Sequence, residues 1–146
     1  MTTQIPEVNV LMYAFWDEMP NHRVAKAWLE RARRSDEHTL GLLDIVLMGF
    51  VRLSTSRRIM QTPVTLDAAL EFVDALRASP RAHQFSSAED AWVHFETFAH
   101  SIQARDGDLT DAYLAALTVS IDGELITFDR GFRRFEGLRF SMPEEM

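Results

Sequence analysis

Asp111 and Asp129 are the side chains best placed to do chemistry, because the chain between them is organised to bring them together. Residues 112–121 (AYLAALTVSI) are apolar and helix-forming, with Asp111 expected in the first turn and Gly123 expected to stop the helix. Glu124-Leu125-Ile126-Thr127-Phe128 reads as a short buried strand, and Asp129 follows its end. A carboxylate at a helix start and another just past the next strand point to the same edge of a parallel sheet. That edge, at the carboxyl ends of the strands, is where open α/β folds build their sites. Taken alone, Asp111 reads equally well as a helix-capping acid, and Asp129 as a turn residue before Arg130-Gly131. The pair is more informative than either member.

Carboxylate oxygens suit Mg²⁺ and Mn²⁺, and the chain has no cysteine to offer a softer ligand. A metal held by a few carboxylates lowers the pKa of a bound water, neutralises phosphate charge and aligns in-line attack. That is a sufficient toolkit for cutting a phosphodiester. No Ser-His-Asp arrangement is motif-like, and neither GxGxxG nor a Walker-type loop is present, so nucleotide-cofactor and NTPase readings have no support. Arg130, Arg133, Arg134 and Arg139 follow Asp129 closely. Their forked donors match phosphate, and the plain alternative is a solvated basic turn. Phe132 and Phe135 between them are expected to pin that turn to the core.

The elements that must position these groups alternate along the chain. A strand at residues 5–8 puts Glu7 at its end, where a solvated edge residue is the plain reading. Asn9 is expected to cap a helix over 10–15. A second helix at 22–34 carries Val24, Ala27, Trp28 and Ala32 on its apolar face, with Trp28 expected in the core. A strand at 39–42 leads to Asp44, which opens a helix through Leu53. Arg52 lies inside that apolar element and calls for a carboxylate partner. Thr65 caps a helix at 66–78, residues 82–85 read as a short strand, and Ser86 or Ser87 caps a helix carrying Trp92, Val93, Phe95 and Phe98. His94 and His100 are six apart and do not share a helical face, which argues against a dedicated His-metal site. Residues 137–140 read as an edge strand and 141–146 as a tail. Alternation of helices with short strands implies a parallel sheet covered on both faces.

The 146 residues fit one domain spanning 1–146, with 47% apolar and 25% charged residues, as in folded globular chains. No apolar run approaches membrane-spanning length and no signal-peptide pattern opens the chain, so a cytoplasmic protein is expected. The net charge of −7 excludes a uniformly basic nucleic-acid binder. Any RNA contact must be local, and a basic partner segment would meet a favourable surface.

Three stretches carry a resemblance. DAYLAAL followed by LITFDRGFRRF resembles the C-terminal half of a PIN-domain protein of the VapC toxin ribonuclease type. IPEVNVLMYAF resembles that family's opening, and GFVRLSTSRRI (49–59) resembles a mid-chain signature of one VapC subgroup. The three appear in the family's order and span nearly the whole chain. The resemblance implies a PIN-like three-layer α/β/α sandwich with a short, mainly parallel central sheet. It implies a Mg²⁺-dependent endoribonuclease, with Mn²⁺ as the other fitting ion, acting on structured RNA such as tRNA or ribosomal RNA. It implies a homodimer and a cognate VapB-type antitoxin. Glu7, Asp111 and Asp129 match the family's carboxylates, and Arg130, Arg133 and Arg134 would contact RNA. Asn9 and Arg52 would brace the site.

Two departures stand out. The first carboxylate is Glu7 where the family has Asp, one methylene longer. Leu47 or Met48 falls where the family commonly has a third-helix Glu. Asp44 lies about one turn away on the same helical face and is either a substitute ligand or a plain cap. Asp108 is an outer carboxylate or a loop residue. Two rival readings follow: a degenerate PIN domain that binds antitoxin or RNA with little catalysis, and another metal-dependent phosphoesterase. Carboxylates gathered this closely repel, so at least one is expected to have a raised pKa without metal.

Overall fold

The computed structural model of the chain describes residues 2–144. Its strands are β1 (Thr2–Pro6), β2 (His38–Leu43), β3 (Ala82–Phe85), β4 (Glu124–Ile126) and β5 (Phe140–Ser141). Its helices are α1 (Val8–Phe15), α2 (His22–Ala32), α3 (Asp44–Ser54), α4 (Leu66–Arg77), α5 (Ala91–Ile102) and α6 (Gly107–Ser120), with a 3₁₀ turn at Arg130–Arg134. The strands form one sheet in the order β3-β2-β1-β4-β5, and every neighbouring pair is parallel. Parallel strands buried on both faces read as continuous apolar runs. Accordingly, Ile5, Leu40, Leu42, Leu125 and Ile126 are at most 1% exposed.

Right-handed crossovers decide where the helices go. The chain steps from β1 through β2 to β3 in one direction, which puts α1 to α4 on one face. It then returns across the sheet to β4, which puts α5 and α6 on the other. Packing agrees: α1 contacts α2 and α3, α3 contacts α4, and α5 pairs with α6. This is the three-layer α/β/α arrangement expected from the sequence. Trp28, Phe132 and Phe135 lie in the core, as expected. Among the described residues, no helix is long and apolar enough to cross a membrane.

Several boundaries differ from the sequence reading. β1 ends at Pro6, so α1 starts at Val8 and its cap is Glu7, not Asn9. α5 is preceded by Asp90 rather than capped by Ser86 or Ser87. The last strand is Phe140–Ser141 instead of 137–140, because Gly137 turns at φ +89°. Of the expected tail, Glu145 and Met146 lie outside the described residues. The left-handed residue after α6 is Asp122 (φ 52°), not Gly123. Gly123 sits where space is short: a Cβ there would lie 2.7 Å from Ile5 Cδ1 and 3.2 Å from the Thr3 carbonyl oxygen.

The largest shift is at the start of α6. The helix begins at Gly107, so Asp108 is in its first turn and Asp111 in its second. The preceding Asp106 holds φ 54°, ψ −127°, a region that suits glycine, and its side chain makes no capping bond. Asp106→Gly is expected to stabilise the chain by about 1 kcal/mol, strain relief outweighing the added freedom of the unfolded chain. Thermal melting checks this, and a lower melting temperature would refute it.

Candidate active site

β1 lies between β2 and β4, and the connections from these strands leave across opposite faces of the sheet. The carboxyl ends of β1 and β4 are therefore the position at which open α/β sheets form a ligand crevice. Glu7 follows β1 directly, and its backbone N–H donates to the Ile126 carbonyl at 2.8 Å, extending the ladder past the strand. Its side chain accepts from the Asn9 N–H at 3.3 Å and so caps α1. The helix N-terminus favours a negative charge at this position.

Thr127 connects the acids on the β1 and β4 sides, and the sequence reading missed it. It is fully buried. Its Oγ1 donates to Glu7 Oε2 (3.4 Å) and accepts from Asn9 Nδ2 (3.2 Å) and the Asp129 N–H (3.0 Å). Asn9 Oδ1 in turn accepts from the Phe128 N–H at 3.3 Å. Asn9 thus ties α1 to the chain beyond β4. Asp129 caps the 3₁₀ turn by accepting from the Gly131 N–H at 2.8 Å. The available signal was a hydroxyl in an otherwise apolar strand, two residues before an acid. Thr127→Val leaves three polar neighbours short of a partner, and the expected loss is about 1–3 kcal/mol of unfolding free energy. A denaturant titration with an unchanged midpoint would contradict the linking role.

The electrostatics of the crevice are unbalanced. Burial pushes the Glu7 carboxyl from 4.5 up to about 7; the Asn9 and Thr127 hydrogen bonds oppose this, and the charges of Asp111 and Asp129 add to it. Burial also raises the Asp111 pKa, against the pull of Arg134 and with Asp129 and Asp108 adding to the rise. The charges of Asp111 and Asp129 thus bear on Glu7, and those of Asp129 and Asp108 on Asp111.

The arginines divide. Arg134 Nη2 donates to Asp108 Oδ1 and to Asp111 Oδ2, both at 3.1 Å, and Nη1 donates to the Gly131 carbonyl at 2.6 Å. Arg134, expected to face RNA, is therefore engaged inside the chain. Arg139 is paired with Asp122 at 2.8 Å in an exposed contact. Arg130 and Arg133 are exposed and line a groove of about 440 Å³ with Phe140, Met142 and Pro143.

Three further expectations land elsewhere. Asp44 opens α3 beyond the end of β2, but it is exposed and its side chain has no hydrogen bond or ion pair among the described residues. Arg52 is exposed on α3 and makes no ion pair among the described residues. Leu47 is in the core and Met48 is 57% exposed, so neither compensates for a missing acid.

Hard oxygen donors with surplus negative charge fit a divalent cation such as Mg²⁺ or Mn²⁺. The donor set is right, but it is not closed into a cage. Among the described residues, no three His, Asp or Glu side chains are grouped to hold a metal, and Asp111 is held by Arg134.

The PIN domain family model matches residues 5–138. Ribonuclease VapC43 of Mycobacterium tuberculosis is 39% identical over 137 residues, covering 94% of this chain and 92% of the relative. Ribonuclease VapC25 of the same organism is 31% identical, covering 94% and 96%. Among solved structures, VapBC2 from Rickettsia felis bound to a DNA fragment from its promoter matches at TM-score 0.71 with 15% identity, covering 98% of this chain and 100% of that one. VapBC-1 from nontypeable Haemophilus influenzae matches at 0.70 with 14% identity, covering 97% and 98%. Sequence and fold agree: the chain belongs to the PIN-domain family, in its VapC branch.

Proposed function

We propose that the chain is the toxin of a VapBC-type toxin–antitoxin pair, an endoribonuclease that uses Mg²⁺ or Mn²⁺ to cut structured RNA such as tRNA or ribosomal RNA. The observation that carries this reading is that Glu7, at the end of β1, carries a raised pKa to which the charges of Asp111 and Asp129 contribute beside its burial. Relatives named as VapC ribonucleases at 39% identity support the activity, and the VapBC structures support a VapB-type partner. Glu7, Asp111 and Asp129 would hold the cation, with Asp44 as the outermost candidate at the same sheet edge. When bound, the cation supplies Lewis acidity and a water of lowered pKa. Thr127 and Asn9 hold Glu7 in place. Arg130 and Arg133 supply exposed positive charge for the RNA backbone on a chain of net charge −7. The basic tail of an antitoxin would be drawn to the same acids. The family resemblance adds a homodimer acting in the cytoplasm.

The second reading, a PIN domain with weak catalysis, is favoured by one observation: Asp111 is ion-paired within the chain rather than free. The test is incubation of antitoxin-free protein with total tRNA and ribosomal RNA in Mg²⁺ or Mn²⁺, with EDTA and Asp111→Asn as controls. Discrete fragments that require both metal and Asp111 are expected. Well-folded wild-type protein that cuts nothing would transfer the weight to the second reading.

A further inference from the structure

The 3₁₀ turn after Asp129 carries three arginines, and they are not equivalent. Arg130 and Arg133 face solvent and make no ion pair among the described residues, whereas Arg134 points inward. One nitrogen, Nη2, sits between Asp108 Oδ1 and Asp111 Oδ2 at 3.1 Å from each. Three features hold the guanidinium in place. Nη1 donates to the Gly131 carbonyl at 2.6 Å. The guanidinium carbon lies 4.7 Å from the ring centroid of Phe135, which is itself 2% exposed. Gly131 has no Cβ, and one there would come within 2.9 Å of Arg134 Nη1. Side-chain exposures of 29% for Arg134 and 30% for Asp111 make this a half-desolvated pair, less screened than a surface contact.

We infer that Arg134 is an internal counter-ion that competes with a divalent cation for Asp111. This rests on reading Asp111 as a metal ligand. A guanidinium and a divalent ion repel at such separations, and a carboxylate oxygen that accepts from Nη2 is less available to a second cation. The metal-free chain therefore keeps Asp111 neutralised, and metal binding must loosen the Arg134 contact. Asp108 is the second anchor that retains the guanidinium when Asp111 lets go. This assigns Arg134 a role separate from that of Arg130 and Arg133, and it makes metal affinity a property of the turn as well as of the acids.

The test is calorimetric titration of Mn²⁺ into the antitoxin-free chain as wild type, Arg134→Gln and Arg134→Lys. Arg134→Gln is expected to tighten Mn²⁺ binding on the order of tenfold, and Arg134→Lys, which keeps the charge, to stay near wild type. In parallel, NMR of the wild-type guanidinium groups follows Arg134 directly and needs no variant to fold. Its Nη–H protons should exchange slowly without metal and faster at saturating Mg²⁺. Weaker Mn²⁺ binding by Arg134→Gln would overturn the proposal in favour of a positioning role. Equal binding by all three proteins, or an Arg134 signal indifferent to Mg²⁺, would also overturn it while leaving the metal reading intact. No Mn²⁺ binding by any of them would overturn both.

Discussion

Asp111→Asn is expected to lower the rate of RNA cleavage by two orders of magnitude or more, on the order seen when a group acting at the transition state is removed. Asparagine keeps the size of the side chain and one oxygen but loses the charge that would help hold a cation at the β1–β4 crevice. The fold should tolerate the change. Arg134 retains Asp108 and the Gly131 carbonyl, and the variant no longer confines a half-buried charge whose pKa burial already raises. The two effects on stability oppose each other, so the expected net change is within about 1 kcal/mol. Initial rates of fragment formation, read beside a thermal melt, separate chemistry from folding. Cleavage retained within a few-fold would remove Asp111 from the active centre. A collapsed melting temperature would make its role structural.

Glu7→Gln is expected to move stability and activity in opposite directions. The Glu7 carboxyl sits at about 7 in the fold against 4.5 as its ordinary value. Between those values the native state binds the proton more tightly than the unfolded chain does. The Glu7 contribution to stability is thus complete below about pH 4.5 and is lost as pH rises through about 7. With solvent screening of a half-buried group allowed for, the loss is roughly 2 kcal/mol. Glutamine carries no such charge. At pH 8 without metal the variant should therefore melt several degrees above wild type, by about 5 °C on the usual scaling, and the gap should vanish near pH 4. Cleavage should fall with the lost ligand. Millimolar Mg²⁺ should raise the wild-type melting temperature, and should raise that of the variant less. Identical pH profiles for the two proteins would show that the charge on Glu7 is not confined. Glu7→Asp complements this test: a large gain in cleavage would mark the longer side chain as a partial loss of function, and a fall would mark a centre adapted to glutamate.

Much of the architecture was present in local pattern. The run ELITF and the apolar faces of the helices required a covered parallel sheet, because burial of a periodic face is a property of neighbouring residues. The pairing of Asp111 with Asp129 followed from strand–helix logic, and the inward Phe132 and Phe135 from their spacing in the turn. Composition narrows the chemistry as well: hard oxygen donors, no thiol, and an acidic chain on which any phosphate contact must be local. The tertiary structure alone decided which groups meet. The bonds of Thr127 and Phe128 to Glu7 and Asn9 join positions 118 to 120 residues apart, and only the β1–β4 register sets them. Arg134 and Arg130 have the same chemistry and lie in the same turn, yet one pairs with Asp108 and Asp111 while the other faces solvent. Their difference arises from the direction of the 3₁₀ turn relative to α6. Asp44 and Arg52, both singled out by residue type, are exposed on α3, and their exposure is set by which face of that helix packs against the sheet rather than by local pattern.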